Sequence, residues 1–259
     1  MWTFLTPNGA YSAGKGQLGS IRSVYLRGNR IHARRDFEDF DEHVLMLHGF
    51  FQTRNIFEVL EDRLRHDGYG AMSFDLGGLL GRYNSRPTDQ LARMVGDKID
   101  RLCDKYGFDA LHVVGHSKGG LVARRWIQHF GGLRRVKSLT TLGTPHHGTP
   151  TALLGIATGL GAISQNPREL LPRSPLVAAL ARDTFPAHVP FTSIYSRQDL
   201  VCPWWCSVLR PRTGEETMEN VQVRGVGHSE LCWDPGVYAL LRERLNTASA
   251  LYRERHGEP

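Results

Sequence analysis

Long apolar runs are missing from this 259-residue sequence, and none approaches the ~20 residues that a membrane-spanning helix requires. Its first residues also lack the basic start and the apolar stretch of a secretory signal peptide. The sequence therefore predicts no transmembrane segment. It leaves the location open: cytoplasmic by the absence of a signal peptide, or exported if a leader precedes these residues.

Cysteine is scarce as well. The four cysteines are too few for a disulfide scaffold. The net charge of +6 comes from scattered arginines, without a basic stripe interleaved with aromatic residues. This pattern disfavours nucleic-acid binding and leaves transient contact with an anionic lipid interface as the simpler interpretation. The sequence does not indicate an oligomeric state.

A phosphate-binding loop is the one cofactor motif that the sequence partly matches. The match, GxxxxGK, runs from Gly9 to Lys15, but Gly16 stands where a Ser or Thr would hold Mg²⁺, and no strand precedes it. We interpret residues 1–20 as a flexible N-terminal extension and expect neither a cofactor nor a metal.

Apolar segments of strand and helix period alternate along most of the chain. An antiparallel hairpin with a Gly-Asn turn is predicted over residues 21–34. The alternation that follows predicts a mostly parallel central sheet with helices on both faces. The predicted strands are 44–47, 70–75, 111–114, 136–142, 191–196 and 221–224, and the predicted helices are 55–66, 89–106, 121–130, 174–182 and 236–245.

A GxSxG pentapeptide, Gly115 to Gly119, lies between a predicted strand and a predicted helix. Small residues two before and two after the serine allow strand and helix backbones to approach closely at a tight turn. Such a turn presents its serine at the edge of the sheet. The sequence therefore predicts Ser117 as a nucleophile.

A serine nucleophile needs a base, an acid that orients the base, and N–H donors for the developing oxyanion. In this topology the order is serine, acid, histidine, which selects His228 after the last strand. Asp199 follows the strand 191–196 and is preferred to Asp183, which falls among cap residues. The other downstream histidines are assigned structural or peripheral places: His129, His146, His147, His188 and His256.

Two backbone N–H groups are predicted to form the oxyanion hole. One belongs to Lys118, directly after the nucleophile, and the other to Phe50, which follows His48-Gly49 at the end of an earlier strand. Glu215, Glu216 and Glu219 are interpreted as solvated turn charges.

Residues 150–190 interrupt the alternation without a clear strand and are rich in apolar residues. Their position between two strands near the predicted site is typical of a cap or lid. The predicted organisation is an extension over 1–20, a core over 21–149 and 191–250, and a cap over 150–190.

Three cysteines near the acid and the base leave other interpretations open. Cys202 and Cys206, with His228 and Cys232, could hold zinc, but a zinc-bound His228 could not act as a base. Buried free thiols are the expected state. A disulfide from Cys232 to Cys202 or Cys206 is the alternative.

Five motifs, GHSKGG, HGFF, GTPHHGT, SRQDLVCP and GVGHSEL, together resemble the α/β-hydrolase superfamily, specifically bacterial triacylglycerol lipases and esterases. The resemblance covers residues 45–245 and implies an α/β-hydrolase fold with a helical cap. It implies Ser117, Asp199 and His228 as the catalytic triad and Phe50 with Lys118 as the oxyanion hole. Lys118 departs from the small, His, Gln or Met residue usual at its position.

The sequence thus predicts a serine hydrolase that cleaves carboxylic esters, acylglycerols or other lipophilic esters, through an acyl-enzyme. A thioesterase or amidase with the same triad is the rival among enzymes. A non-catalytic hydrolase-fold binding protein is the rival from another class, disfavoured because every catalytic position is filled.

Overall fold

The computed structural model describes residues 34–79, 83–157 and 166–257 of the chain. The predicted extension over 1–20 lies outside these residues, as does the predicted hairpin over 21–34 except for its last residue.

Within the described residues, six strands form one parallel sheet in the order β2-β1-β5-β6-β7-β8. Two very short strands, β3 and β4, pair antiparallel beside it. The strands are β1 (Glu42–Leu47), β2 (Tyr69–Ser73), β3 (Gly78–Leu79), β4 (Tyr83–Asn84), β5 (Leu111–His116), β6 (Val136–Leu142), β7 (Phe191–Ser196) and β8 (Met218–Val223).

Helices connect the strands, as parallel pairing requires. Short 3₁₀ turns occupy Phe37–Asp39, Arg54–Phe57, Gly132–Arg135 and Ser229–Cys232. None of the helices in the described ranges is long and apolar enough to cross a bilayer. The helices are α1 (Glu58–His66), α2 (Thr88–Tyr106), α3 (Lys118–His129), α4 (Ala152–Ala157), α5 (Asn166–Glu169), α6 (Pro175–Arg182), α7 (Trp204–Ser207) and α8 (Pro235–His256).

Each face of the sheet has its own hydrophobic core. On one face α2 and α3 bury residues such as Val95, Ile99 and Trp126. On the other face α1 and α8 bury residues such as Leu64 and Leu241. The parallel strands are apolar on both faces because both faces are covered. The predicted parallel sheet with helices on both faces is thereby confirmed.

The segment between β6 and β7 contains α4, α5 and α6, as expected for a helical insertion. Its residues Leu170, Leu176 and Leu180 pack with Leu121 of α3 in a third, smaller cluster. By contrast, Leu153 and Leu154 on α4 are exposed. The insertion thus buries one apolar face on the core and leaves another in solvent.

Several element boundaries differ from the predicted ones. The helix predicted over 55–66 begins later, because Asn55 lies inside the 3₁₀ turn and Phe57 precedes the first residue of α1. The last helix continues to His256, well beyond the predicted end. The β3–β4 pair was not predicted because two-residue strands carry no period.

The turn between β5 and α3 brings backbones into closer contact than any side chain allows. A Cβ on Gly119 would lie 1.9 Å from the carbonyl oxygen of Leu47, at the end of β1. One on Gly115 would lie 2.4 Å from the Cα of Gly120. The predicted need for small residues on each side of Ser117 is confirmed by these distances.

We expect Gly119→Ala to lower the free energy of unfolding by at least about 3 kcal/mol, because the methyl group would push α3 away from β1. The matched control is Gly155→Ala on α4, where the added Cβ would meet Pro167 at an ordinary 3.5 Å. Urea unfolding of both variants measures the difference. Equal stability of the two variants would contradict the close approach.

Candidate active site

Ser117 occupies the turn between β5 and α3 with a strained backbone, at φ 53° and ψ −125°. Non-glycine residues rarely adopt positive φ, and such strain persists only where the surroundings impose it. Here the Ser117 N–H donates to the carbonyl of Leu142 at the end of β6, at 2.9 Å. The conformation places the serine at the carboxyl edge of the sheet, on the wall of a cavity.

Asp199 and His228 come from the loops after β7 and β8 and meet in a short hydrogen bond. The His228 Nδ1 lies 2.6 Å from Asp199 Oδ2, and both side chains are buried. The other carboxylate oxygen accepts the N–H groups of Val201 and Cys202, at 2.9 Å and 2.7 Å. A carboxylate can only accept from Nδ1–H, so the neutral imidazole carries its lone pair on Nε2.

Gly143, the first residue after β6, provides the space for this pair. It adopts a positive φ of 57°, and a Cβ there would lie 2.9 Å from Asp199 Oδ2 and 3.2 Å from His228 Nδ1. Its N–H donates to the carbonyl of Ile194 in β7 at 3.0 Å. Gly143 opens the GTPHHGT motif, but the motif alone does not indicate this role.

Residues 48–52 follow β1 and lie against Ser117; we call them the oxyanion loop, after the role that the sequence predicts for Phe50. A Cβ on Gly49 would be only 2.8 Å from the Cβ of Ser117. The Gly49 carbonyl oxygen lies 3.2 Å from His48 Nδ1 and accepts the N–H of Gln52 at 3.4 Å. Because C=O and N–H point in opposite directions across a trans peptide, these contacts fix the direction of the Phe50 N–H.

His48 itself is a buried, neutral side chain. Its Nε2 accepts the N–H of Leu76 at 3.3 Å, so the ring proton is on Nδ1, toward the Gly49 carbonyl. Burial lowers the pKa of His48 to about 4, which keeps this tautomer uncharged at neutral pH. The oxyanion loop therefore rests on a fixed imidazole.

Two further polar residues, Gln52 and His116, join the loops of the site. Gln52 Oε1 accepts the N–H of Gly49 at 2.9 Å and lies 2.9 Å from His116 Nδ1. The other ring nitrogen of His116 lies 3.0 Å from the carbonyl oxygen of His228. Sequence reasoning missed these residues because their contacts span 64 and 112 positions.

The side chain of Lys118 is fully buried, although this residue was singled out only for its N–H. Its ammonium donates to Asn84 Oδ1 at 3.2 Å and to the carbonyl of Arg86. Burial lowers the pKa of Lys118 from its ordinary 10.5 to about 7, and the negative charge of Glu169 acts in the opposite direction. The long side chain that departs from the family pattern points away from the cavity, toward β4.

The cavity that Ser117 and His228 share has a volume of about 350 Å³. Among the described residues no hydrogen bond joins the Ser117 hydroxyl to His228. Such a contact often tightens only when substrate binds. Residues 151, 152, 155, 167 and 170 of the insertion form part of the wall. The apolar lining residues include Phe50, Pro145, Ala152, Pro167, Leu170 and Val201.

Large apolar side chains are exposed on the segments that border the cavity, and we call this set the rim. It comprises Leu153, Leu154, Leu200, Val201 and Trp205. Leu154 and Leu200 are the most exposed, at 68% and 70%. Clustered exposed apolar residues of this size mark interaction surfaces.

The alternative acid and histidines lie elsewhere. Asp183 ends α6 and lies 3.4 Å from His129, which belongs to α3. His146 is buried against Thr141, at 3.0 Å, and His147 lies 2.8 Å from the Val208 carbonyl.

The prediction that Glu215 is a solvated turn charge is wrong, because its side chain is buried. It is 4% exposed and accepts the N–H groups of Phe185 and Arg212 at 2.7 Å and 2.9 Å. The carboxylate thereby ties the loop after α6 to the loop before β8.

All four cysteines are buried free thiols, as expected, so neither alternative disulfide is present. Three of them, Cys202, Cys206 and Cys232, follow Asp199 or His228 closely in the sequence. In the ranges that the structure covers, no three His, Cys, Asp or Glu side chains are grouped to hold a metal ion.

A family model described as the alpha/beta hydrolase fold matches residues 42–184, more than half of the chain. The chain belongs to this family of hydrolases.

Named relatives include lipases. The mature lipase BlEst2 of Bacillus licheniformis superposes with a TM-score of 0.62 at 15% identity, over 84% of this chain and 96% of that one. Lipase B of Aspergillus fumigatus superposes with a TM-score of 0.67 at 12% identity, over 83% and 55%. At these identities the likeness concerns the fold.

The probable lysophospholipase BODYGUARD 4 of Arabidopsis thaliana is 30% identical over 109 residues, which are 40% of this chain. The match spans a quarter of the plant protein's length.

We expect the stability of wild type relative to Lys118→Met to rise between pH 7 and pH 10. Below pH 7 both the folded and the unfolded protein carry the protonated lysine. Above it only the unfolded chain binds the proton, because the folded pKa is about 7 against 10.5. Stability rises with pH wherever the unfolded state binds more protons, here by up to about 1.4 kcal/mol per pH unit.

Urea unfolding of both proteins across this pH range measures the difference. Parallel pH curves would show that the lysine keeps an ordinary pKa in the folded protein.

Proposed function

We propose that this protein is a serine hydrolase of carboxylic esters, with Ser117 as nucleophile, His228 as base and Asp199 as the acid that orients it. The observation that carries the proposal is the 2.6 Å hydrogen bond between Asp199 and His228, on the cavity that Ser117 also lines. The backbone N–H groups of Phe50 and Lys118 would form the oxyanion hole.

In the first half of the reaction, the Ser117 oxygen attacks the acyl carbon of the ester while its proton passes to His228 Nε2. The carbonyl electrons move onto the oxygen, which the two N–H groups stabilise. The tetrahedral intermediate collapses, the C–O bond to the alcohol breaks, and the imidazolium gives its proton to the leaving oxygen. Asp199 remains ionised and stabilises the imidazolium.

In the second half, water attacks the acyl-serine by the same route, with His228 taking its proton and then returning it to Ser117. The products are a carboxylic acid and an alcohol. The Asp199 carboxylate is suited to its role because two N–H groups and the imidazole hold it in one orientation.

The apolar lining of the cavity supports a lipophilic acyl group as substrate. Residues 150–190 would act as the cap, because the insertion supplies part of the wall and an exposed apolar edge. The name of the plant relative, a probable lysophospholipase, also favours a lipid-like ester. A substrate panel should therefore include p-nitrophenyl esters from short to long acyl chains, a lysophospholipid, a triglyceride emulsion and a thioester.

We expect Ser117→Ala to lower kcat for a p-nitrophenyl ester by about 10⁴- to 10⁶-fold, because the triad acts as a unit. The fold should remain intact, and labelling by a fluorophosphonate should disappear. Retention of a tenth of the wild-type activity would refute the assignment.

Asp199→Asn should reduce kcat severely, though less than Ser117→Ala does. Asp183→Asn is the matched control, because that aspartate ends α6 beside His129. If Asp183→Asn proved the more damaging of the two, Asp199 would not be the acid.

We expect Leu154→Gln and Leu200→Gln to lower the rate on a triglyceride emulsion by at least about threefold each, since each removes apolar area from the rim. A soluble ester presents no lipid surface for the rim to contact, so its rate of hydrolysis should stay within about a factor of two of wild type. The control is Leu251→Gln on α8, which is 42% exposed and outside the lining of the cavity. Equal losses in all three variants would argue against a role of the rim in contact with lipid.

A further inference from the structure

Asn84, the last residue of β4, is fully buried and contacts the oxyanion loop at three points. Its side-chain Nδ2 donates to the carbonyl of His48 at 2.9 Å. Its backbone carbonyl accepts the N–H of Phe51 at 3.2 Å, and its own N–H donates to the carbonyl of Gln52 at 3.4 Å. The residues on both sides of the Gly49–Phe50 peptide are therefore bonded to one asparagine.

Lys118 fixes this asparagine from the opposite side. Its ammonium donates to Asn84 Oδ1 at 3.2 Å and, two residues further along the chain, to the carbonyl of Arg86 at 2.5 Å. An amide whose oxygen accepts from an ammonium must turn its NH₂ group the other way, here toward His48. The N–H donors on Lys118 Nζ, which the ammonium and the neutral amine both carry, thus determine which end of the Asn84 side chain faces the loop.

Burying an ammonium is costly, and a Met of similar length would fill the same space without that cost. The backbone of the oxyanion loop is also strained, because Phe51 holds a positive φ of 56°. A strained loop keeps its conformation only when its surroundings over-determine it. The hydrogen bonds from Asn84 to residues 48, 51 and 52 hold the loop in this strained conformation.

We propose that the side chains of Lys118 and Asn84 are positioning residues for the oxyanion hole. Lys118 orients Asn84, and Asn84 holds the oxyanion loop so that the Phe50 N–H points at the reacting carbonyl oxygen. This inference rests on the proposed ester hydrolysis. It assigns Lys118 two separate roles, one through its backbone N–H and one through its ammonium.

The test compares Lys118→Met and Asn84→Asp with wild type on a soluble p-nitrophenyl ester. Asn84→Asp keeps the volume and the acceptor for Lys118 but turns a carboxylate oxygen toward the His48 carbonyl. In both variants we expect kcat to fall by about 10- to 100-fold with KM within about threefold, because a small misplacement acts on the transition state. Affinity for an alkylboronic acid, which mimics the tetrahedral intermediate, should fall in parallel with kcat/KM.

Lys118→Arg, which restores a charged donor, should recover part of the lost kcat. The control is Ser249→Ala, which removes a buried hydrogen bond to His112, 2.9 Å away at the other edge of the sheet. It should destabilise the protein and leave kcat per fluorophosphonate-titrated site unchanged. If Lys118→Met does not fold, Asn84→Asp decides the question alone.

The outcomes separate the inference from the function it rests on. Wild type that neither hydrolyses esters nor reacts with fluorophosphonate would refute the proposed function. Active, labelled wild type together with Lys118→Met and Asn84→Asp variants of unchanged kcat would overturn the positioning role alone. A fall in kcat without any loss of boronate affinity would also overturn it, because the defect would then lie outside the oxyanion hole.

Discussion

The close approach of α3 to the end of β1 is the steric constraint on which the site depends. Without side chains at positions 115, 119 and 120, the turn after β5 can pass directly beneath the loop that follows β1. At this approach Ser117 adopts its positive φ, and Lys118 follows it as the first residue of α3. Backbone packing alone thus positions Ser117 and the N–H groups of the proposed oxyanion hole.

Hydrogen bonds from neutral, buried side chains then connect the loops that this packing brings together. His116 touches the loops that carry Gln52 and His228, while His48 supports the Gly49 carbonyl. Burial lowers the pKa of both His48 and His116, so neither adds a positive charge beside His228 at neutral pH. This arrangement suits a site in which one imidazole must gain and lose a proton while its neighbours stay unchanged.

The sequence predicted the elements with a clear period and the residues that chain order could select. The strands 136–142 and 191–196 coincide with β6 and β7, and the order of serine, acid and histidine was enough to choose Asp199 and His228. Their partnership in catalysis remains a proposal, although the structure places them in contact.

The features that sequence reasoning missed depend on tertiary contacts. Glu215 has the sequence surroundings of a solvated turn, and only the fold gives it two backbone donors. The Lys118 side chain was assigned no contact because its partners lie 32 and 34 positions away, next to strands too short to show a pattern. Such contacts leave no local periodicity in the sequence.

The turn after Asp199 sets limits on how the substrate range of the protein can be altered. Leu200 and Val201 contribute side chains to the rim, while the N–H groups of Val201 and Cys202 hold the carboxylate. The exposed side chains of Leu200 and Val201 can be exchanged in a mutant library, since the hydrogen bonds to Asp199 come from the backbone. Proline is the exception at 201 and 202, because it has no N–H to donate. Libraries that vary this turn should keep Cys202, whose thiol is buried, exclude proline at 201 and sample the other residues freely at 200 and 201.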